Sequence, residues 1–340
     1  MKYRREIDGL RAVAVLPVIL FHAGFDTFSG GFVGVDIFFV ISGYLISTII
    51  ISELQNEKFS IVNFYERRAR RILPALFFVM LSCIPFAYFW LTPSDLKDFA
   101  QSLISVSVFS SNILFWRESG YFDAAAELKP LLHTWSLAVE EQYYVIFPLF
   151  LMAFWGGGKR LIVTLLTIAF LVSIALAEWA SLVKPSAAFF LLPTRVWELL
   201  IGVFSAFYLS KMNRYRFSKC FSEFFGWLGL ILIAYSILIY SESTPFPGIY
   251  ALVPTIGAAL VILFAEKETF VARFLGNKLF VGIGLISYSA YLWHQPLFAF
   301  ARQRSLLELD ELVLLALVAL SLLLAYFSWR FIEYPFRSKD

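Results

Sequence analysis

Residues that form disulfides and bind metals are scarce in this sequence. Its 340 residues include two cysteines and three histidines. Because Cys83 and Cys220 lie on different apolar segments, they indicate neither a disulfide framework nor a zinc site, and we expect no metal. Charge is scarce as well, since 16% of the residues are charged and the net charge is +3. We expect no nucleic-acid partner.

Hydrophobic residues, by contrast, dominate the chain. They make up 60% of it, aromatic residues account for 19%, and the mean hydropathy is +0.75. These values exclude an ordinary soluble domain and indicate an all-α integral membrane protein that crosses the bilayer many times. Residues 1–25 resemble a signal peptide, but no A-x-A cleavage site follows them, so we expect a retained first span. We expect one membrane domain over residues 1–340.

Candidate spans are numerous, and the basic residues between them indicate which side each loop occupies. The apolar stretches lie near 10–25, 32–53, 72–92, 97–116, 135–156, 160–179, 195–210, 224–241, 249–265, 279–300 and 311–332. The N-terminus, loop 54–71 and the C-terminal tail are basic, which makes them cytoplasmic by the positive-inside rule. The sidedness assigned from the N-terminus agrees with the sidedness assigned from the C-terminus only if one of these stretches does not cross the membrane. Stretch 97–116 is rich in serine, so we expect a re-entrant or interfacial helix there and about ten transmembrane helices, with both termini cytoplasmic.

A polar stripe runs along the first span. His22 follows Arg11 by eleven residues, a spacing that returns an α-helix to nearly the same face after ~16 Å. Asp8 lies on the same stripe. Ionisable groups at membrane depth usually face a bundle interior or a water-filled site. We therefore expect His22 to be a general base, with Arg11 on its face and the Asp36 carboxylate fixing its tautomer. The alternative is a packed polar residue.

The predicted topology places further polar residues on the outer half of the bundle. Glu140 and Glu141 enter the fourth span and are expected to be catalytic; stabilisation of a helix start by its dipole is the alternative. The residues expected to bind the acceptor substrate are His133, Trp135, Arg195, Glu198 and His294. For the stretch around His294, an aromatic belt at the membrane interface is the alternative.

Arginines concentrate on the cytoplasmic side. Arg67, Arg68, Arg70 and Arg71 form two i,i+3 pairs, and two neighbouring guanidinium groups suit bidentate binding of phosphate. The alternative is anchoring by lipid headgroups. In the second span, Ser42 and Tyr44 flank a glycine that would allow close helix approach. We assign both hydroxyls to the donor site, with small-residue helix packing as the alternative.

Together these motifs resemble the membrane acyltransferase-3 family. They are Arg11-x10-His22, Gly34–Tyr44, Arg67–Arg71, Trp135-Ser136-Leu137 with Glu140-Glu141-Gln142, and Tyr291-Leu292-Trp293-His294, and the likeness continues to Arg337. The resemblance implies an O-acyltransferase of the bacterial inner membrane that uses cytoplasmic acetyl-CoA as acyl-CoA donor. The implied acceptor is a hydroxyl of a cell-envelope glycan such as lipopolysaccharide O-antigen, and membrane lipid is a further partner. It gives His22 the role of the essential histidine.

Many members of this family carry an extra span and a periplasmic SGNH hydrolase-like domain. The chain is therefore expected to be either a stand-alone form or a piece of such a longer protein. The alternative function is a lipid or polysaccharide transporter or flippase, which would show inverted internal symmetry that the sequence lacks. A glycosyltransferase would need a metal-binding acidic motif in an outer loop, for which loop 121–130 is a poor candidate.

Overall fold

The computed structural model describes residues 3–119, 126–211, 217–305 and 309–337, and within these ranges it contains helices and no β-strand. The α-helices are α1 (Arg5–Ala23), α2 (Gly34–Gln55), α3 (Ile61–Trp90), α4 (Pro93–Ser107), α5 (Ser111–Glu118), α6 (Thr134–Phe154), α7 (Gly158–Val183), α8 (Pro185–Phe190), α9 (Leu192–Lys211), α10 (Lys219–Ile239), α11 (Leu252–Phe264), α12 (Phe270–Leu275), α13 (Lys278–Arg304), α14 (Glu311–Ser328) and α15 (Tyr334–Arg337). Short 3-10 helices precede several of them, and a π-helical segment (Trp329–Glu333) joins α14 to α15.

The predicted all-α membrane fold is confirmed. Each predicted apolar stretch falls on helix. By length and composition, six helical segments within the described ranges can cross a membrane, and Thr134–Val183 among them contains both α6 and α7. The shorter apolar stretch Ile249–Phe264 adds a further candidate. The exact count of ten crossings stays a prediction.

The apolar stretch 97–116 is divided into two short helices. Helix α4 has 15 residues and α5 has eight, and Phe109 between them adopts a positive φ of 53°. The hydroxyl of Thr92 caps the start of α4 by accepting from the backbone N–H of Asp95. Because a transmembrane helix needs about 20 residues, neither helix can cross a bilayer by itself.

The structure corrects one predicted helix boundary and one predicted position within a helix. Helix α3 begins at Ile61, where Ser60 caps it, well before the predicted apolar stretch 72–92, so the second half of the predicted loop 54–71 is helical. Helix α6 begins at Thr134, so Glu140 and Glu141 lie about two turns inside it and not at its start. Since the helix dipole acts mainly within the first turn, it does not explain these two carboxylates.

The chain groups into two compact units. Unit 1 comprises residues 1–18, 27–59 and 139–284, and unit 2 comprises residues 19–26, 60–138 and 285–340. In unit 1, α2 packs against α9 through glycines: a Cβ on Gly43 would clash with the carbonyl of Leu199, and one on Gly202 with that of Val40. The predicted close approach at Gly43 is therefore confirmed. In unit 2, α3 packs against the π-helical segment and α15.

Candidate active site

The three histidines of the chain meet in unit 2. His22 lies near the end of α1, His133 immediately precedes α6, and His294 lies in the second half of α13. The ring centroids of His22 and His294 are 5.0 Å apart, and those of His133 and His294 are 5.3 Å apart. In the described part of the chain, no group of His, Cys, Asp or Glu side chains is arranged to hold a metal ion.

The buried histidines differ in how their ring nitrogens are used. The His294 side chain is fully buried, and its Nδ1 lies 2.6 Å from the carbonyl oxygen of Tyr291. Because a carbonyl can only accept, Nδ1 carries the proton and Nε2 carries a lone pair. No described residue hydrogen-bonds to that Nε2. Burial, and then the nearby His22, lower the pKa of His133 to about 3, so its ring is neutral at physiological pH.

A set of hydrogen bonds holds the histidines in place. The Tyr291 hydroxyl donates to the carbonyl of His133 at 2.7 Å, and Ser136 lies 2.7 Å from the same hydroxyl. Arg302 donates to the carbonyl oxygen of His22 at 2.6 Å, where α1 ends. The other end of its guanidinium group lies 3.5 Å from Glu127. Trp135, which was predicted to bind substrate, is buried in unit 2.

Arg302 was not predicted from the sequence. It follows His294 by eight residues, a spacing that places both on one face of α13. The same end of α13 also binds the segment before α6, since Gln303 donates to the carbonyl of Leu128 at 2.7 Å and Gln295 to that of Lys129 at 3.2 Å. The helical spacing from His294 was the signal that could have identified Arg302.

The arginine cluster lies in unit 2, on the first turns of α3. Its members, Arg67, Arg68, Arg70 and Arg71, are all partly exposed. Arg70 forms an ion pair with Glu66 at 2.6 Å, and the Arg68 guanidinium lies 6.0 Å from the Phe64 ring centroid. The i,i+3 pairs therefore lie on a helix as predicted, and phosphate binding stays a prediction.

One hydrogen bond connects the helix that carries the arginines, α3, to the helix that carries His294, α13, within unit 2. The Tyr288 hydroxyl on α13 donates to the carbonyl of Ile72 on α3 at 2.9 Å, and Ile72 directly follows Arg71. His294 is six residues beyond Tyr288 on the same helix, which is about 9 Å along its axis. His294 thus lies roughly two helical turns along α13 from the point where that helix contacts α3 beside Arg71.

A buried carboxylate near the end of the chain was also missed. Glu333 ends the π-helical segment, is 1% exposed, and accepts a hydrogen bond from Ser289 of α13. Its other oxygen forms an ion pair with Arg337 at 2.6 Å. Single π-helical turns inside helices occur frequently at functional sites. A glutamate directly after the last apolar stretch, four residues before an arginine, was the available signal.

The predicted site residues of unit 1 form separate clusters. Arg195 lies 3.0 Å from Asp36 and 3.1 Å from Glu198, and all three side chains are fully buried. The guanidinium is surrounded by aromatic rings, at 5.3 Å from Phe39, 5.8 Å from Phe189 and 5.5 Å from Phe246. The contact that the structure gives Asp36 is therefore with Arg195, and its predicted role toward His22 stays a prediction.

A second cluster in unit 1 surrounds Glu140. Its carboxylate accepts hydrogen bonds from Ser42 at 2.9 Å and from Tyr144 at 2.8 Å. The neighbouring Glu141 is buried. Tyr44 belongs elsewhere, because its hydroxyl accepts from Arg4 at 2.8 Å. Ser42 and Tyr44 thus have different partners, although both were assigned to the donor site.

Arg11 lies near the other end of α1. That helix is continuous from Arg5 to Ala23, so Arg11 and His22 share one helix as predicted. The Arg11 guanidinium lies 3.6 Å from Asp8, and both side chains are buried. The Asp8 carboxylate also accepts from the hydroxyl of Tyr3 at 2.6 Å, and burial together with this bond raises the pKa of Tyr3 to about 12.

One known protein family matches nearly the whole chain. The Acyltransferase domain family model matches residues 4–330. The chain belongs to the membrane acyltransferase-3 family. The motif residues of this family are divided between the two units. Unit 2 contains His22, Arg67–Arg71, Trp135 and His294, and unit 1 contains Gly34–Tyr44.

Several curated proteins are similar to this acyltransferase-3 chain. It is 32% identical to the peptidoglycan O-acetyltransferase OatA of Listeria monocytogenes, over 99% of the chain and 56% of that protein. It is 31% identical to the O-acetyltransferase OatA of Staphylococcus aureus, over 99% of the chain and 58% of that protein. A putative O-acetyltransferase of S. aureus is 30% identical over 100% of the chain and 58% of its own length.

The chain thus spans somewhat more than half the length of these relatives. No solved structure matches it.

Proposed function

We propose that this acyltransferase-3 chain transfers an acetyl group from acetyl-CoA to a hydroxyl of a cell-envelope glycan. The convergence of three histidines in unit 2, which also contains the arginine cluster, carries the proposal. Family membership and the names of the relatives agree with this reaction class. The proposed location is the bacterial inner membrane, with both termini cytoplasmic, as the distribution of Lys and Arg predicts.

The donor site is the arginine cluster. Acetyl-CoA carries several phosphates, and neighbouring guanidinium groups bind phosphate through paired hydrogen bonds. Arg68 and Arg71 stand one turn apart on α3. The reactive thioester is at the far end of a long flexible arm from those phosphates. Helix α13 connects the two groups, because Tyr288 contacts α3 beside Arg71 and His294 lies about 9 Å farther along α13.

His22 performs the proton chemistry. Its imidazole nitrogen takes the proton of the acceptor hydroxyl as the oxygen attacks the thioester carbonyl carbon. The carbon–sulfur bond then breaks, and the coenzyme A thiolate leaves and receives a proton from the imidazolium. His22 is partly exposed, unlike the buried His133 and His294, so its ring is the most accessible of the three.

The acceptor is a glycan of the cell envelope, and two classes are candidates. One relative is named for peptidoglycan, which makes that polymer the first candidate. Lipopolysaccharide O-antigen is the second. Mass spectrometry of both fractions, from cells with and without the chain, distinguishes them because each added acetyl group increases the mass of its own fraction.

Consumption of the acetyl-CoA thioester distinguishes an acetyltransferase from a transporter. Membrane vesicles containing the chain, given acetyl-CoA and acceptor glycan, are expected to release free coenzyme A thiol in step with acetyl-glycan. A flippase would move glycan with the thioester intact. Glycan translocation without thiol release would overturn the proposal.

A further inference from the structure

We propose that His294 is a positioning residue for His22: its Nε2 accepts a hydrogen bond from the His22 ring and stabilises the imidazolium that His22 becomes during transfer. The inference rests on the proposed role of His22 as general base. In this arrangement a neutral imidazole does what the carboxylate does in a catalytic triad, since it orients the base and stabilises its protonated form.

The tautomer of His294 is fixed by the backbone. Its Nδ1–H donates to the carbonyl of Tyr291 at 2.6 Å, one turn earlier on α13. The remaining nitrogen, Nε2, can therefore only accept a hydrogen bond. It is fully buried, and no described residue donates to it. A buried acceptor without a donor is costly, so such an atom in a polar cluster indicates a missing partner.

Two imidazole rings lie edge-on to His294, His22 at 5.0 Å and His133 at 5.3 Å between centroids. We assign the bond to His22 because its ring is the partly exposed one, which the acceptor can reach. Catalytic hydrogen bonds are often long in the absence of substrate and shorten when it binds. Asp36, the partner that the sequence suggested, forms its ion pair with Arg195 in unit 1.

The resulting chain of hydrogen bonds has a single direction. The acceptor hydroxyl donates to His22, His22 donates to His294, and His294 donates to the Tyr291 carbonyl. The transferred proton stays on His22 and then passes to the coenzyme A thiolate, so His294 gains and loses no proton. Arg302 holds the other side of His22 by donating to its carbonyl oxygen, which restricts movement of the end of α1.

The test compares two substitutions of His294 in the full chain. His294→Phe keeps a flat ring but removes the acceptor, whereas His294→Gln replaces it with an amide oxygen. We expect His294→Phe to lower kcat by roughly tenfold or more, because about one hydrogen bond to a charged group is lost. KM for acetyl-CoA should remain close to the wild-type value. His294→Gln should recover most of kcat.

A double substitution shows whether His294 acts through His22. In a His22→Ala background, His294→Phe should cause no further loss, because coupled residues give non-additive effects. The inference is overturned if the two losses multiply, if His294→Gln is as impaired as His294→Phe, or if only KM changes. These outcomes differ from failure of the proposed function, in which the wild-type chain would transfer no acetyl group or His22→Ala would transfer it normally.

Discussion

Replacing Arg195 is expected to destabilise unit 1 strongly. The guanidinium is fully buried and serves two carboxylates, Asp36 at 3.0 Å and Glu198 at 3.1 Å. At that distance and an effective dielectric constant of about 20, each attraction is worth about 5 kcal/mol before desolvation is subtracted. Removing one partner of a buried ion pair costs about 3–5 kcal/mol, because the other charge stays buried without compensation. We expect Arg195→Met to lower the stability by an amount in that range.

The measurement is the thermal stability of the purified chain in detergent, for Arg195→Met and for a matched control. Arg160→Met is suitable as the control, because Arg160 is exposed on α7 of the same unit. Adding Asp36→Asn and Glu198→Gln to Arg195→Met should restore much of the lost stability, since no buried charge then remains. Equal midpoints for Arg195→Met and Arg160→Met would refute this reasoning, as would a triple variant no more stable than Arg195→Met.

Two further predictions concern the donor site and the sidedness of the membrane. Arg68→Lys together with Arg71→Lys should weaken acetyl-CoA binding although charge is kept, because lysine lacks the bidentate fork. Equilibrium binding checks this, and unchanged affinity would leave lipid anchoring as the role of the cluster. In a chain without its native cysteines, Lys58→Cys should react with an impermeant maleimide only from the cytoplasm, and Thr27→Cys only from outside. Both positions are exposed. Labelling of both from one side would refute the topology.

Much of the fold follows from the sequence, because apolar runs of this length have few alternatives to membrane helices. A single non-crossing helix over 97–116 was predicted from its serines, and the structure divides this stretch at Phe109 into two helices too short to span a bilayer. The start of α3 was not foreseen. The arginines lower the hydropathy of this segment, so it was assigned to the loop before the span. Arginine is nevertheless a good helix former, and Ser60 caps the helix.

The candidate site was only partly predictable. The predicted topology placed the three histidines on one side of the membrane, but the sequence could not show that they meet, because no periodicity relates α1, α6 and α13. Arg302 and Glu333 could not be singled out, because the residues they bind, His22 and Ser289, are distant in the sequence. Asp36 and Arg195 were both selected as polar residues in apolar helices, and their pairing depends on how α2 packs against α9.

The central claim is that His22 takes the acceptor's proton during acetyl transfer, and the transfer rate of a His22→Ala chain tests it most directly. Membrane vesicles with matched amounts of wild-type and His22→Ala protein would receive isotopically labelled acetyl-CoA and acceptor glycan. Loss of a general base typically lowers the rate by about 10²–10⁴-fold, and we expect a decrease in that range. Labelling of the glycan at the wild-type rate by a fully expressed His22→Ala chain would contradict the account.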